Sequence, residues 1–66
     1  MRAWIQDEKI VENIVGKTVS GVEYDHWGQD GGELVITFEG GERFHVGAFA
    51  GHEEGWLEFL YDGGKA

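Results

Sequence analysis

The sequence predicts an α+β fold: one short N-terminal helix packed on a four-stranded, mostly antiparallel sheet. Three observations lead there. Ile10, Val11, Ile14 and Val15 recur at helical spacing near the N-terminus. Beyond them, apolar and polar residues alternate in short runs, the period of a strand with one buried face. Twelve glycines and no proline punctuate these runs, within 66 residues that suffice for one domain, 1–66.

The helix is expected over about 7–15. Asp7 is placed to cap its N-terminus, and Glu8 puts a carboxylate in the first turn, at the positive end of the helix dipole. Gly16 stands where a C-terminal glycine cap belongs, with Lys17 beside it. The first strand is expected over about 18–24. Val22 and Tyr24 share a face, and a bulge at Ser20-Gly21 would bring Val19 onto it. The second strand, about 33–39, alternates Leu34, Ile36 and Phe38 with Val35, Thr37 and Glu39.

The third strand, about 43–49, sets Phe44, Val46 and Ala48 on one face. Residues directly opposite each other share a face, which allows the register with the second strand to be derived. A two-residue loop at Gly40-Gly41 would set Phe38 against Arg43 and Ile36 against His45. A three-residue loop, Gly40-Gly41-Glu42, pairs Glu39 with Arg43, Phe38 with Phe44, Ile36 with Val46 and Leu34 with Ala48. The second register gives one continuous apolar face and is the one expected. The last strand, about 56–61, carries Leu57, Phe59 and Tyr61 on one face and Trp56, Glu58 and Leu60 on the other, ahead of a frayed tail at 63–66.

A domain this small is only marginally stable, and without cysteine it has no disulfide or thiolate-metal staple. Its nine aromatics must supply much of the packing. The N-terminal MRAWIQDEK has no signal-like apolar run, and no stretch approaches the length of a membrane span. The expectation is a soluble protein of a reducing cytoplasm.

The formal charge is -8, and it is unevenly distributed. Residues 1–17 are balanced, whereas residues 18–66 set ten carboxylates against Arg43 and Lys65. Direct binding to nucleic acid or anionic lipid needs basic patches and is not expected. A cationic partner is favoured.

No catalytic motif stands out. His26, His45 and His52 have Asp25, Asp30, Glu53 and Glu54 nearby in sequence, but lack the tight spacing of a zinc site, so no metal or other cofactor is expected. Thirteen acids offer carboxylate pairs by chance, in a chain with little room for a cleft. Ser20 is the single serine, and the glycine pairs match no phosphate loop. The string YDHWGQDGGE, Tyr24 to Glu33, reads as the polar connection between the first two strands, with Asp25, Asp30 and Glu33 facing water. Trp27 within it has two readings: a ring capping an edge of the core, or an exposed anchor for a partner.

The acids themselves remain. Net charge keeps small proteins soluble, which is their plainest reading. Against it, unbalanced charge costs stability by self-repulsion. Alternate residues on a strand are about 6.6 Å apart, so outward carboxylates can form rows on the scale of a phosphate backbone. The residues expected to meet a partner are Glu23, Asp25, Trp27, Asp30, Glu33, Glu39, Glu42, Glu53, Glu54 and Glu58.

Two resemblances follow. IVGKTVSGVEYD with GGELVITFEGGERFHV, residues 14–46, resembles a small β-rich domain of phage and bacterial genomes, in which Gly-Lys-Thr precedes one strand and Phe-x-x-Gly ends the next; it brings no catalytic residue. In size, acidity and lack of catalytic motif the chain is also similar to phage-encoded anti-CRISPR proteins. That resemblance implies a non-enzymatic monomer in the bacterial host cytoplasm. It would bind the basic DNA-recognition surface of a CRISPR effector complex, type I before type II, and block target DNA by mimicry. The other reading is a small accessory or structural module acting by protein–protein contact.

Overall fold

Four strands form one antiparallel sheet in chain order: β1 (Val19–His26), β2 (Gly31–Phe38), β3 (Arg43–Gly51) and β4 (Glu54–Asp62). A 3-10 helix, η1 (Glu8–Ile14), precedes them, and a single 3-10 turn, η2 (Gly28–Asp30), joins β1 to β2. The computed structural model describes residues 4–51 and 53–63, without the side chain of Asp30. The expected α+β layout is present, with strands one or two residues longer at several ends and one residue shorter at the start of β1 and the end of β2.

The helix is tighter than its spacing suggests. Asp7 caps it as expected, its carboxylate accepting the Lys9 amide at 3.0 Å. Ile10 N then donates to the Asp7 carbonyl, three residues back. Two causes favour the tighter winding. Four β-branched residues in six lower the α-helical propensity, and the Asn13 side chain bonds back to the Ile10 carbonyl at 3.0 Å. The buried stripe narrows accordingly: Ile10 and Ile14 are half-buried, while Val11 and Val15 are exposed. Gly16 follows at φ +83°, in the place expected of a terminating glycine. No residue of η1 is buried, and it lies nearest β4, so it shields the sheet only in part.

The N-terminal segment crosses the sheet from edge to edge. Ile5 exchanges two 2.7 Å backbone hydrogen bonds with Phe59, on the outer side of β4. Thirteen residues on, Thr18 accepts the Glu39 amide at 2.9 Å, and β1 begins at the opposite edge. The crossing passes the β2–β3 turn, where Lys17 Nζ donates to Glu42 Oε2 at 2.8 Å. Phe38 and Phe44 flank this turn and are the buried apolar side chains of the described residues, 4% and 2% exposed.

Pairing assigns every strand residue to a face. Val19, Val22 and Tyr24 share one face with Leu34, Ile36, Phe38, Phe44, Val46, Ala48, Leu57, Phe59 and Tyr61. The β1 register slips between Val19 and Gly21, so the bulge is at Ser20 and does return Val19 to this face. The β2–β3 register differs from the expected one by two residues. Thr37 faces Arg43, Ile36 faces Phe44 and Leu34 faces Val46. An even offset keeps each side chain on its expected face. The turn keeps the expected three residues but begins one position earlier, at Glu39-Gly40-Gly41: Phe38 N donates to the Glu42 carbonyl and Gly41 N to that of Phe38. Lys17 holds the Glu42 side chain at this turn, an interaction the strand pattern could not include.

The Lys17–Glu42 pair gives a pH prediction. The hydrogen bond from Lys17 holds the Glu42 carboxyl below the ordinary glutamate range, and the same bond raises Lys17 above the ordinary lysine range. A lowered carboxylate stabilises above its unfolded pKa and loses that as pH falls through the folded value. A raised lysine stabilises below its unfolded pKa and loses that as pH rises through the folded value. The pair should therefore add a stability plateau between about pH 4.3 and about pH 10.4. Glu42→Gln should lower the thermal midpoint inside that window and leave it unchanged below it; an equal shift at pH 2 would mean the pair contributes nothing through its charge.

Candidate functional site: an acidic and aromatic sheet face

The second face of the sheet carries different chemistry. Asp25, Glu33, Gly47 and Glu58 lie opposite one another in one row across four strands. Beside it run Glu23, Val35, His45 and Leu60, and then Gly21, Thr37, Arg43 and Asp62. Toward the other end, Phe49 pairs with Trp56, and Glu54 follows two residues from Trp56 on the same face. Strand positions of this face thus hold six carboxylates and one arginine. The opposite face holds no Asp, Glu, Lys or Arg at its strand positions.

An aromatic ridge divides the acids. Trp4 stands on the face over Gly47, where a methyl group would lie 2.9 Å from Trp4 Cζ3 and from Phe49 Cε2, so the strand must carry glycine there. Trp4 meets Phe49 edge-on at 5.5 Å, Trp27 at 6.0 Å and His45 at 6.4 Å between ring centroids. Trp27 also packs on Phe49 at 5.1 Å, and Phe49 stacks on Trp56 at 6.0 Å and 11°. Such pairs contribute beyond the area they bury, and they give a thin fold a second packed cluster. The ridge separates Asp25 and Glu33 from Glu58.

Three expected contact residues are held within the molecule. Glu33 is not turned to water: it pairs with His45 Nδ1, and its side chain is 17% exposed. The connection from β1 to β2 is shorter than expected, so Glu33 falls inside β2 beside the ridge. The other ring nitrogen, His45 Nε2, is buried without a partner. Glu58 Oε2 accepts Trp56 Nε1 at 2.8 Å and Gln6 Nε2 at 3.2 Å. Glu42 is bound to Lys17 at the distant turn.

Glu23, Asp25 and Glu54 are exposed on the acidic face. Glu39 is exposed at the β2–β3 turn, and Glu53 is exposed at the β3–β4 turn with φ +67°. Asp30 lies in η2 next to Trp27, and its side chain is outside the described set. Trp27 is half-buried against Trp4 and Phe49, which fits a ring closing an edge of the packing.

Sequence reasoning missed Trp4, His45 and Phe49. Gly47 within a strand was the available signal, since an interior glycine marks close approach of another group. Nothing local told that the group was Trp4.

Among the described residues, no three of His, Cys, Asp and Glu converge as a metal site would require; His52 lies outside them. No pocket opens among the described residues. The hydroxyl of Ser20 donates to the Thr37 carbonyl at 3.3 Å. No helix of the described residues is long and apolar enough to cross a membrane. No family model, curated protein or solved structure matches the chain.

Proposed function

We propose that the protein is a non-enzymatic inhibitor whose acidic sheet face docks on a cationic, nucleic-acid-binding protein surface. The supporting observation is the segregation of charge: six carboxylates and a single arginine at the strand positions of one face, and no such charge on the other. Exposed Glu23, Asp25 and Glu54 would take the place of phosphates against lysine and arginine side chains. Glu58, fixed by two hydrogen bonds, would add a preset acceptor. The half-exposed edge of Trp56 would supply an apolar contact between them. Long-range attraction would speed the encounter and make it sensitive to salt.

The resemblance in size and acidity to anti-CRISPR proteins points to a CRISPR effector complex of the bacterial cytoplasm, type I before type II, with target DNA excluded. The test is a DNA mobility-shift competition with purified type I and type II effector complexes. The protein should displace target DNA, and raising salt from about 50 to about 200 mM should weaken it at least about tenfold. Glu23→Lys with Asp25→Lys should reduce competition similarly while leaving the folded circular dichroism spectrum intact. Competition that ignores both salt and charge reversal would exclude the acidic face.

The exposed apolar residues of the opposite face favour a second reading, a structural module working through protein–protein contact.

A further inference from the structure

We infer that the protein is a homodimer in which the apolar sheet face of one copy packs on the same face of a second. A sheet that is apolar on one side must bury that side against another layer. Here the second layer is incomplete. Among the described residues only Phe38 and Phe44 are buried apolar side chains, both at the β2–β3 turn where the N-terminal segment crosses. Away from that turn the face is open. Tyr24 is 66% exposed, Val22 58%, Leu57 52% and Val19 50%. Half-buried Leu34, Ile36, Val46 and Phe59 lie between them.

The patch has the size and chemistry for a second copy. Its exposed surface is on the order of 500 Å² per chain, in the range where a contiguous apolar patch often serves an interaction. Two copies face to face would remove roughly 1,000 Å², the threshold of a specific interface. Tyr24 lies down over Gly32, where a methyl would come within 2.6 Å of its hydroxyl, so the ring covers β2 instead of projecting. Sheets pack face to face about 10 Å apart.

Charge selects the occupant. A chain of net charge -8 repels its own kind unless carboxylates are kept apart. This face carries none at its strand positions, and face-to-face packing leaves both acidic faces outward. The cationic partner proposed above would find no carboxylate here to hold. Pairing through the β1 edge would leave Leu57, on the far strand β4, uncovered.

The experiment is sedimentation equilibrium with small-angle scattering on the full chain. The expected mass is twice that of the chain, the scattering profile that of a two-layer sandwich, and the melting temperature should rise with protein concentration. Val22→Glu and Leu57→Glu should each shift the equilibrium at least tenfold toward monomer. Val15→Glu, an exposed apolar site outside the strand positions of this face, should not. Glu23→Lys should leave the dimer intact while weakening the cationic partner, which separates this inference from the proposed function. A monomer with a concentration-independent melting temperature would overturn it. So would a dimer whose scattering is that of one continuous eight-stranded sheet. If the glutamate variants do not fold, the wild-type mass and scattering still decide.

Discussion

Phe44→Ala should leave the protein largely unfolded at 25 °C. Phe44 is 2% exposed, lies between Ile36 and Tyr61 on neighbouring strands, and stacks on Phe59 at 5.9 Å. Truncating a buried phenylalanine removes about 3–5 kcal/mol, from the lost transfer energy and the cavity left behind. A 66-residue domain has roughly 3–10 kcal/mol in total. Few other buried side chains share the load, since Phe38 is the other buried apolar residue described. Urea unfolding at fixed protein concentration, followed by circular dichroism, measures the loss. Phe44→Leu should cost about 1–1.5 kcal/mol, because it changes shape with less loss of volume. If Phe44→Ala costs less than about 1 kcal/mol, the packing that holds the sheet is elsewhere, and the aromatic ridge is the place to look.

That ridge shows where sequence reading stops. The apolar face was legible because strand periodicity is local: Leu34, Ile36 and Phe38 fall on one side whatever the register. The bulge at Ser20 was legible for the same reason, since Val19 was out of phase with Val22. The register itself was not, because a three-residue loop starting at Glu39 or at Gly40 leaves the same side chains on the apolar face. The acidic site was half legible. Outward strand positions were legible for Glu23 and Glu58, but Asp25 was expected in the connecting loop, and Glu33 was expected in water and is held by His45. Its partner is twelve residues away and on another strand. Trp4 was the hardest to foresee. It precedes every regular element and reaches the acidic face only because Ile5 pairs with Phe59, which fixes Ile5 toward the apolar side and Trp4 toward the other.

The two faces therefore have separate physical roles. Phe38 and Phe44 on the apolar side form the buried core of the described residues. Trp4, Trp27, Phe49 and Trp56 on the acidic side form a stiff base from which the carboxylates project. For Glu58 this matters to binding, because a carboxylate already held by Trp56 and Gln6 loses less rotamer entropy when a lysine or arginine meets it.

Gly31→Ala should unsettle both the strand pairing and that base, at a cost above about 3 kcal/mol. Gly31 has φ +139°, a conformation that side chains rarely adopt, and strain of this kind alone costs about 1–3 kcal/mol. There is also no space. A methyl group would fall on the Ala48 carbonyl oxygen, and the neighbouring Phe49 Cα is 3.5 Å away. Both are backbone atoms of β3, so no side-chain rotation relieves the clash; the Gly31–Phe49 pairing must open. The same residue's carbonyl accepts the Trp27 amide at 3.0 Å, which closes the turn that sets Trp27 against Trp4 and Phe49. The substitution should thus shift tryptophan fluorescence toward that of exposed indole before the sheet unfolds in urea. Gly21→Ala is the control, because it has no positive φ and nothing within 4 Å of the added methyl. It should be neutral or stabilise by up to about 1 kcal/mol, through the unfolded chain. Equal effects at the two glycines would mean that β2 does not approach β3 this closely, and the turn carrying Trp27 would lose its anchor in the argument for a rigid acidic face.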